Sequence, residues 1–291
     1  MTVCVAAKTT GGVIFAASDR MMTAGDVQFE AGAQKVTAFT NSIAVLTAGD
    51  ASLNAEILAR MRRELQDYLS HSRDVLLPVS EAATWYVRAF ARIKSQRAEA
   101  RLLLPLGHDR DTLLGGGSGL PIEFIKSLAE DMQAFPMPVV EAIVTGIDDT
   151  GAHIFAVCQD EIRCEDTLGF AAIGSGAGHA EGHFMSWPKL LRWFEDEGQT
   201  LLMTYLAKKR AEVAPGVGGD TDLITIGPEP FTLNSVLSEA IDELQRCYSD
   251  LDKLEIQASL TAALRMKDFS ERLAESRAEK DDGTEQEEIS K

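Results

Sequence analysis

Thr2 heads the apolar run Thr2 to Lys8, and a threonine in that place suits one particular kind of chemistry. A threonine hydroxyl is a poor nucleophile at neutral pH and needs an adjacent base, which a threonine at a chain start carries in its own α-amine. That amine ordinarily titrates at about 7.7–8.0, so a useful fraction is neutral near physiological pH. A lysine cation nearby lowers it further and stabilises negative charge on the hydroxyl oxygen, while a carboxylate holds the lysine charged and oriented. Asp19 and Lys35 have the types for those two roles. Gly49, where no side chain blocks an approach to the backbone N–H, has the type for an oxyanion donor in acyl transfer.

Two hairpins must bring these residues together. The run from Thr2 to Lys8, the turn Thr9-Thr10-Gly11-Gly12 and the run Val13 to Ser18 read as a β-hairpin. A turn centred between Thr10 and Gly11 pairs positions that sum to about 21, setting Thr2 opposite Asp19. A second hairpin follows from Lys35 to Phe39, the turn Thr40-Asn41-Ser42 and Ile43 to Thr47; it sets Lys35 near Thr47, with Gly49 just past the strand end.

Taken together, Thr2, the block Ala16 to Arg20, Thr23, Lys35, the block Thr47 to Asp50, Gly174-Ser175-Gly176 and Gly218-Gly219 resemble a proteasome β subunit of the N-terminal nucleophile hydrolases, over roughly residues 2–227. The resemblance implies Thr2 as nucleophile and its amine as base, tuned by Asp19 and Lys35, with Gly49 as oxyanion donor and Ser175 positioning the amine. It implies a backbone contact to bound peptide at Thr23 and a specificity pocket lined by Met22, Ala33, Thr37, Thr47 and Ala51, most of them small, as a roomy apolar pocket requires. Glu212-Val-Ala-Pro-Gly-Val-Gly-Gly219 lacks the Asp and Ser that proteasome subunits place before this Gly-Gly, and Met21 stands where an arginine is usual. Both departures resemble bacterial relatives, the ATP-dependent proteasome-like protease and the Anbu type. Such relatives carry no propeptide, so the expectation is that Met1 is removed to free the Thr2 amine; if Met1 stays, the base is lost.

The fold expected on this resemblance is α+β, a four-layer α/β/β/α sandwich. Residues 51–70 and 80–100 carry helical apolar spacing. Strands are expected at 139–147, 152–157, 161–164, 170–173 and 222–226, and helices from Ala177 and over 197–213. The core domain spans 2–229, with an insertion at about 101–138 that contains Gly115 to Gly119 and a short helix from Leu120; a plain loop is preferred there to a lid or subdomain. Residues 230–278 read as a helical extension, and the acidic tail 279–291 as disordered.

Composition excludes other classes. A net charge of −17 argues against nucleic acid or an anionic membrane as main partner, since both need a basic face. No apolar run reaches a membrane-spanning length, and the expected location is the cytoplasm. Cys4, Cys158, Cys164 and Cys247 lack CxxC spacing and read as reduced structural thiols. The Gly174 to Gly178 run misplaces the third glycine of a dinucleotide loop, and Lys8-Thr9 lacks the preceding glycines of a phosphate loop. His179 and His183 sit one helical turn apart but without a third zinc ligand, so neither metal nor cofactor is expected.

The reading is a threonine-type endopeptidase that self-associates into a ring or helical stack and takes peptides or unfolded chains, with an AAA+ unfoldase as a possible partner. Two alternatives stand beside it: an amidohydrolase of the same superfamily acting on a small molecule, and a catalytically silent scaffold subunit.

Overall fold

Strands β1 (Cys4–Lys8) and β2 (Ile14–Asp19) form the first hairpin, but one residue out of the expected register. Cys4 pairs with Ser18 and Lys8 with Ile14, which sets Val3, not Thr2, beside Asp19. The cause is a three-residue turn, Thr10 to Gly12: Thr9 N–H donates to Val13 O at 2.8 Å, and Gly12 takes φ +88°, the left-handed region that closes such turns and favours glycine. A short hairpin that the periodicity does not reveal follows, β3 (Met21–Ala24) with β4 (Val27–Glu30). Strands β5 (Val36–Ala38) and β6 (Ile43–Gly49) make the next hairpin in the expected register, with Thr47 N–H donating to Lys35 O at 3.1 Å.

This computed structural model describes residues 2–24, 27–30, 34–71, 76–114, 121–186 and 192–289. After β6 come α1 (Ala51–His71), α2 (Val79–Leu102), the short α3 (Arg110–Leu114) and α4 (Ile122–Gln133). Strands β7 (Val140–Asp148), β8 (Gly151–Cys158), β9 (Glu161–Cys164) and β10 (Phe170–Ile173) lead to α5 (Ala177–Ser186) and α6 (Glu197–Ala211). Strands β11 (Thr221–Ile226) and β12 (Asn234–Ser235) precede α7 (Ser238–Ile289).

Two five-stranded sheets result, in the orders β10-β1-β2-β11-β12 and β5-β6-β7-β8-β9. Their strands read as near-continuous apolar runs because both faces are covered. On β6 the odd positions Ile43 and Val45 join Leu53, Ile57, Met61, Tyr86 and Phe90 of α1 and α2. The even positions Ala44, Leu46 and Ala48 instead meet Cys4, Ala6, Ile14 and Ala16 of the other sheet. Helices α5 and α6 cover the outer face of that other sheet. The α/β/β/α order follows directly.

Helix starts are set by distinct devices. Asp50 Oδ1 accepts from Leu53 N–H at 2.7 Å, an N-cap for α1. At α2 the first residue is Val79, preceded by a proline, and Asp148 of β7 supplies the acceptor from afar, taking Val79 N–H at 2.9 Å.

The insertion departs from expectation, and the outer segments take these forms. The insertion is not a plain loop: α2 runs into it, and α3 and α4 follow, with Leu128 of α4 buried and α4 packed on α2. The expected Gly115 to Gly119 loop lies outside the described residues. The first unit of the chain is Met1–Val236, longer than 2–229, because Asn234–Ser235 pair with β11 and Phe231 N–H donates to Ser42 Oγ at 2.7 Å. The second unit, Leu237–Lys291, holds helix α7, whose bounds are Ser238–Ile289.

Candidate active site

Thr2 lies immediately before β1, and its backbone is gripped from the opposite end of the sequence. Gly176 N–H donates to Thr2 O at 3.2 Å, and Thr2 N–H donates to Ser175 Oγ at 3.1 Å. Ser175 Oγ in turn lies 3.3 Å from Thr2 O and 3.5 Å from Pro215 O, the acceptors open to its single proton. Gly174, at φ +89°, admits no side chain, because a Cβ there would stand 2.4 Å from Thr2 O. Its N–H is held by Glu141 Oε2 at 2.8 Å.

Asp19 is the hub, with no exposed surface. Although it pairs with Val3, its Oδ1 reaches back to accept from Val3 N–H at 3.0 Å and from Thr2 Oγ1. Lys35 Nζ donates to the same oxygen at 2.8 Å and also to Thr2 Oγ1, so hydroxyl, ammonium and carboxylate form a closed triangle. Oδ2 accepts from Met21 N–H and Gly218 N–H, each at 3.0 Å. Burial alone would raise the Asp19 carboxyl, but the hydrogen bonds from Lys35, Thr2, Gly218 and Val3 outweigh it, and it titrates below the ordinary carboxylate range. The Asp19 carboxylate therefore stays ionised through neutral pH.

The other expected residues divide. Gly49 ends β6 at φ +89°, and a Cβ there would fall 2.2 Å from Val139 O, so the glycine is required by the close approach of the neighbouring strand as well as fitting an oxyanion donor. Met22 and Thr23 lie on β3, directly after the Asp19–Arg20 corner, with Met22 half-buried. Thr47 is half-buried on β6, its carbonyl accepting from Cys4 Sγ at 3.5 Å, and Ala51 is the exposed first residue of α1. Thr37 is half-buried on β5, and Ala33 lies outside the described residues. Burial pushes the Cys4 thiol well up despite the Lys35 cation, which keeps it protonated and inert; all four cysteines are free. Among the described residues no cluster of His, Cys, Asp and Glu could hold a metal, and no helix is long and apolar enough to cross a membrane.

Sequence reasoning missed Gly218 as a donor to Asp19, and Lys208. The latter's side chain is wholly buried on α6, and its Nζ donates to Gly218 O and Gly219 O, both at 2.8 Å, and to Glu212 Oε1 at 2.7 Å. In sequence Lys208-Lys209-Arg210 reads only as a basic helix end facing its own dipole, so no signal marked the first of the three.

Residues 2–104 match the family model described as Proteasome subunit. This first stretch of the chain is therefore similar to proteasome subunits, and Thr2, Asp19, Lys35 and Gly49 all fall within the matched residues, whereas Ser175, Lys208 and Gly218 lie beyond them. No curated protein gives a match. The mixed sheets and helices are α+β, consistent with the fold of proteasome-like N-terminal nucleophile hydrolases.

Proposed function

We propose that this chain is a threonine-type endopeptidase of a bacterial proteasome-like assembly, with Thr2 as its nucleophile once Met1 is removed. One observation carries the reading: Thr2 Oγ1 hydrogen-bonds both Asp19 and Lys35, while its own nitrogen rests on Ser175 Oγ. An amide nitrogen has no basic lone pair, so the chemistry requires the free amine at that same position. The amine takes the hydroxyl proton as Oγ1 attacks a peptide carbonyl carbon, and the Lys35 ammonium stabilises the developing alkoxide. The oxyanion of the tetrahedral intermediate takes a hydrogen bond from Gly49 N–H. Collapse expels the amine product, protonated by the Thr2 ammonium, and leaves an ester on Thr2 that water hydrolyses. Met22, Thr23, Thr47 and Ala51 contact the bound peptide.

Proteasome-family subunits assemble into oligomeric rings. Self-association of this chain into a ring or stack is supported by that family trait and by the exposed Leu260, Leu264 and Phe269 on α7. An AAA+ unfoldase as feeder and a cytoplasmic location belong to the same reading.

The test is the intact mass of purified protein before and after incubation with a threonine-directed β-lactone or epoxyketone. The expected result is loss of Met1 and one adduct mapped to Thr2, absent from a folded Thr2→Ala variant. Retained Met1, or a free Thr2 that never reacts, rules the mechanism out.

A further inference from the structure

The loop that touches Asp19 carries a backbone bond of its own, Val217 N–H to Ala214 O at 3.3 Å, which stops short of Gly218. Residues Ala214 to Gly219 contain no polar side chain, and three of the six are glycines, whose backbones lose the most freedom on ordering. Yet the N–H of Gly218 must be aimed within hydrogen-bond range of Asp19 Oδ2, which it is at 3.0 Å. Gly218 also fits tightly, since a Cβ there would lie 2.8 Å from Glu30 Oε1 and 2.9 Å from Met21 Cβ.

A buried cation supplies what the loop lacks. All three protons of the Lys208 ammonium are used: two on the carbonyls of Gly218 and Gly219, one on Glu212. A lysine with no exposed side-chain surface is rare unless its charge is met, and here two of its three partners are loop carbonyls. Fixing both carbonyls fixes the Gly218–Gly219 and Gly219–Asp220 peptide planes. The Gly218 N–H lies in the preceding plane and is anchored through the shared Gly218 Cα, which is itself wedged against Met21 and Glu30.

We propose that Lys208 is a positioning residue for the nucleophile: its ammonium clamps the Gly218 and Gly219 carbonyls so that Gly218 N–H holds Asp19 in place for Lys35 and Thr2. This inference rests on Thr2 being the nucleophile, as proposed above. The relay runs from Lys208 through the loop to Asp19 Oδ2, and from Asp19 Oδ1 to the triangle around Thr2 Oγ1.

The electrostatics add a pH signature. Burial lowers the Lys208 pKa, an effect that Glu212 opposes and Lys209 reinforces, while Asp19 from the facing sheet favours the charged form. Glu30, which stands against Gly218 and accepts from Asp220 N–H at 3.4 Å, is a further charged group at this loop, together with Asp220 itself and the Arg20 that both attract. Loss of the ammonium at high pH releases the clamp.

Lys208→Met keeps the length and removes the charge. With the β-lactone probe the expected result is a Thr2 labelling rate lowered about 10- to 100-fold, the scale of a small misplacement of a catalytic group. The acid limb of the pH–rate profile, set by the Thr2 amine, moves to higher pH, because an Asp19 no longer held by Gly218 lets Lys35 drift from Thr2 and the cation depresses that amine less. A folded Lys208→Met variant with the wild-type rate and profile overturns the proposal. If that variant does not fold, Glu212→Gln decides: removing the carboxylate lowers the Lys208 pKa further, so the alkaline limb moves to lower pH, and an unchanged limb overturns the clamp. Failure of the wild-type protein to label at all would instead refute Thr2 as nucleophile, a result distinct from both.

Discussion

Replacing Asp19 with Asn changes one atom in a site with no room for a wrong one. The carboxylate accepts three hydrogen bonds on Oδ1 and two on Oδ2, all from groups that only donate there. Whichever way the new amide turns, its NH2 faces either the Lys35 ammonium and Val3 N–H or the N–H groups of Met21 and Gly218. A buried donor left unpaired costs about 1–3 kcal/mol, and a buried ion pair broken by removing one partner about 3–5 kcal/mol. These effects share a site and do not add, so the expected loss is about 3–6 kcal/mol. Against a total stability of about 5–15 kcal/mol the variant should fold, but marginally. Urea unfolding of wild type and Asp19→Asn, followed by circular dichroism, measures it. The pH dependence has a definite sign: the folded carboxyl titrates low, so its contribution is present above the ordinary carboxylate pKa and is lost as pH falls through the lower folded value. The gap between the two proteins should therefore narrow from about pH 4 downward. A variant within about 0.5 kcal/mol of wild type at pH 7, the range of an inconsequential surface change, would refute the account of Asp19 as the hub.

Two further perturbations separate structure from chemistry. Gly49→Ala places a Cβ 2.2 Å from Val139 O at a φ that non-glycine residues avoid, so the melting temperature should fall sharply before any catalytic effect can be read; an unchanged melting temperature would show that the strand approach is not so close. At the far end of the sandwich Asp166 binds Lys8 at 2.8 Å, His153 at 2.6 Å and Ile154 N–H at 2.9 Å, and these bonds overcome its burial to hold the carboxyl at about 2. Its contribution to stability is complete above the ordinary carboxylate pKa of about 3.9 and lost between there and about pH 2. Urea midpoints for wild type and Asp166→Asn should thus differ at pH 6 and converge near pH 2, whereas a constant difference would place the effect elsewhere.

Periodicity made most of the sandwich legible before any coordinates. β9 and β10 fall at their expected residues, and α1 and α6 start where expected, because apolar spacing is dictated by which faces are buried. The first register was missed because a two-residue and a three-residue turn cannot be told apart in Thr9-Thr10-Gly11-Gly12 by residue type alone. In hairpin β3–β4 the alternation Val27-Gln28-Phe29-Glu30 is only four residues long, too short to stand out, and Val27 and Phe29 are exposed. In the insertion, glycine and proline content outweighed the helical spacing that follows Pro121, where α4 begins. Thr2, Asp19, Lys35 and Ser175 were readable as a set and do converge. Lys208 was not, since its role depends on burial, which a basic helix end does not advertise.

The triangle at Thr2 and the groups that brace it come from widely separated stretches of the chain: residues 2, 19 and 35 of the triangle come early, while the bracing Ser175 and Gly218 come late. A ribosome adding roughly 5–20 residues per second delivers the first three within seconds but the last only after about 10–45 s. During that interval the emerging chain carries the threonine without the groups that hold its nitrogen and aim its carboxylate partner. Strand β11, the neighbour that brings Gly218 to Asp19, is also among the last strands of its sheet to be made. On the proposed function, the site is latent by order of synthesis, and a half-made chain holds no completed centre to turn on itself or on its neighbours at the ribosome.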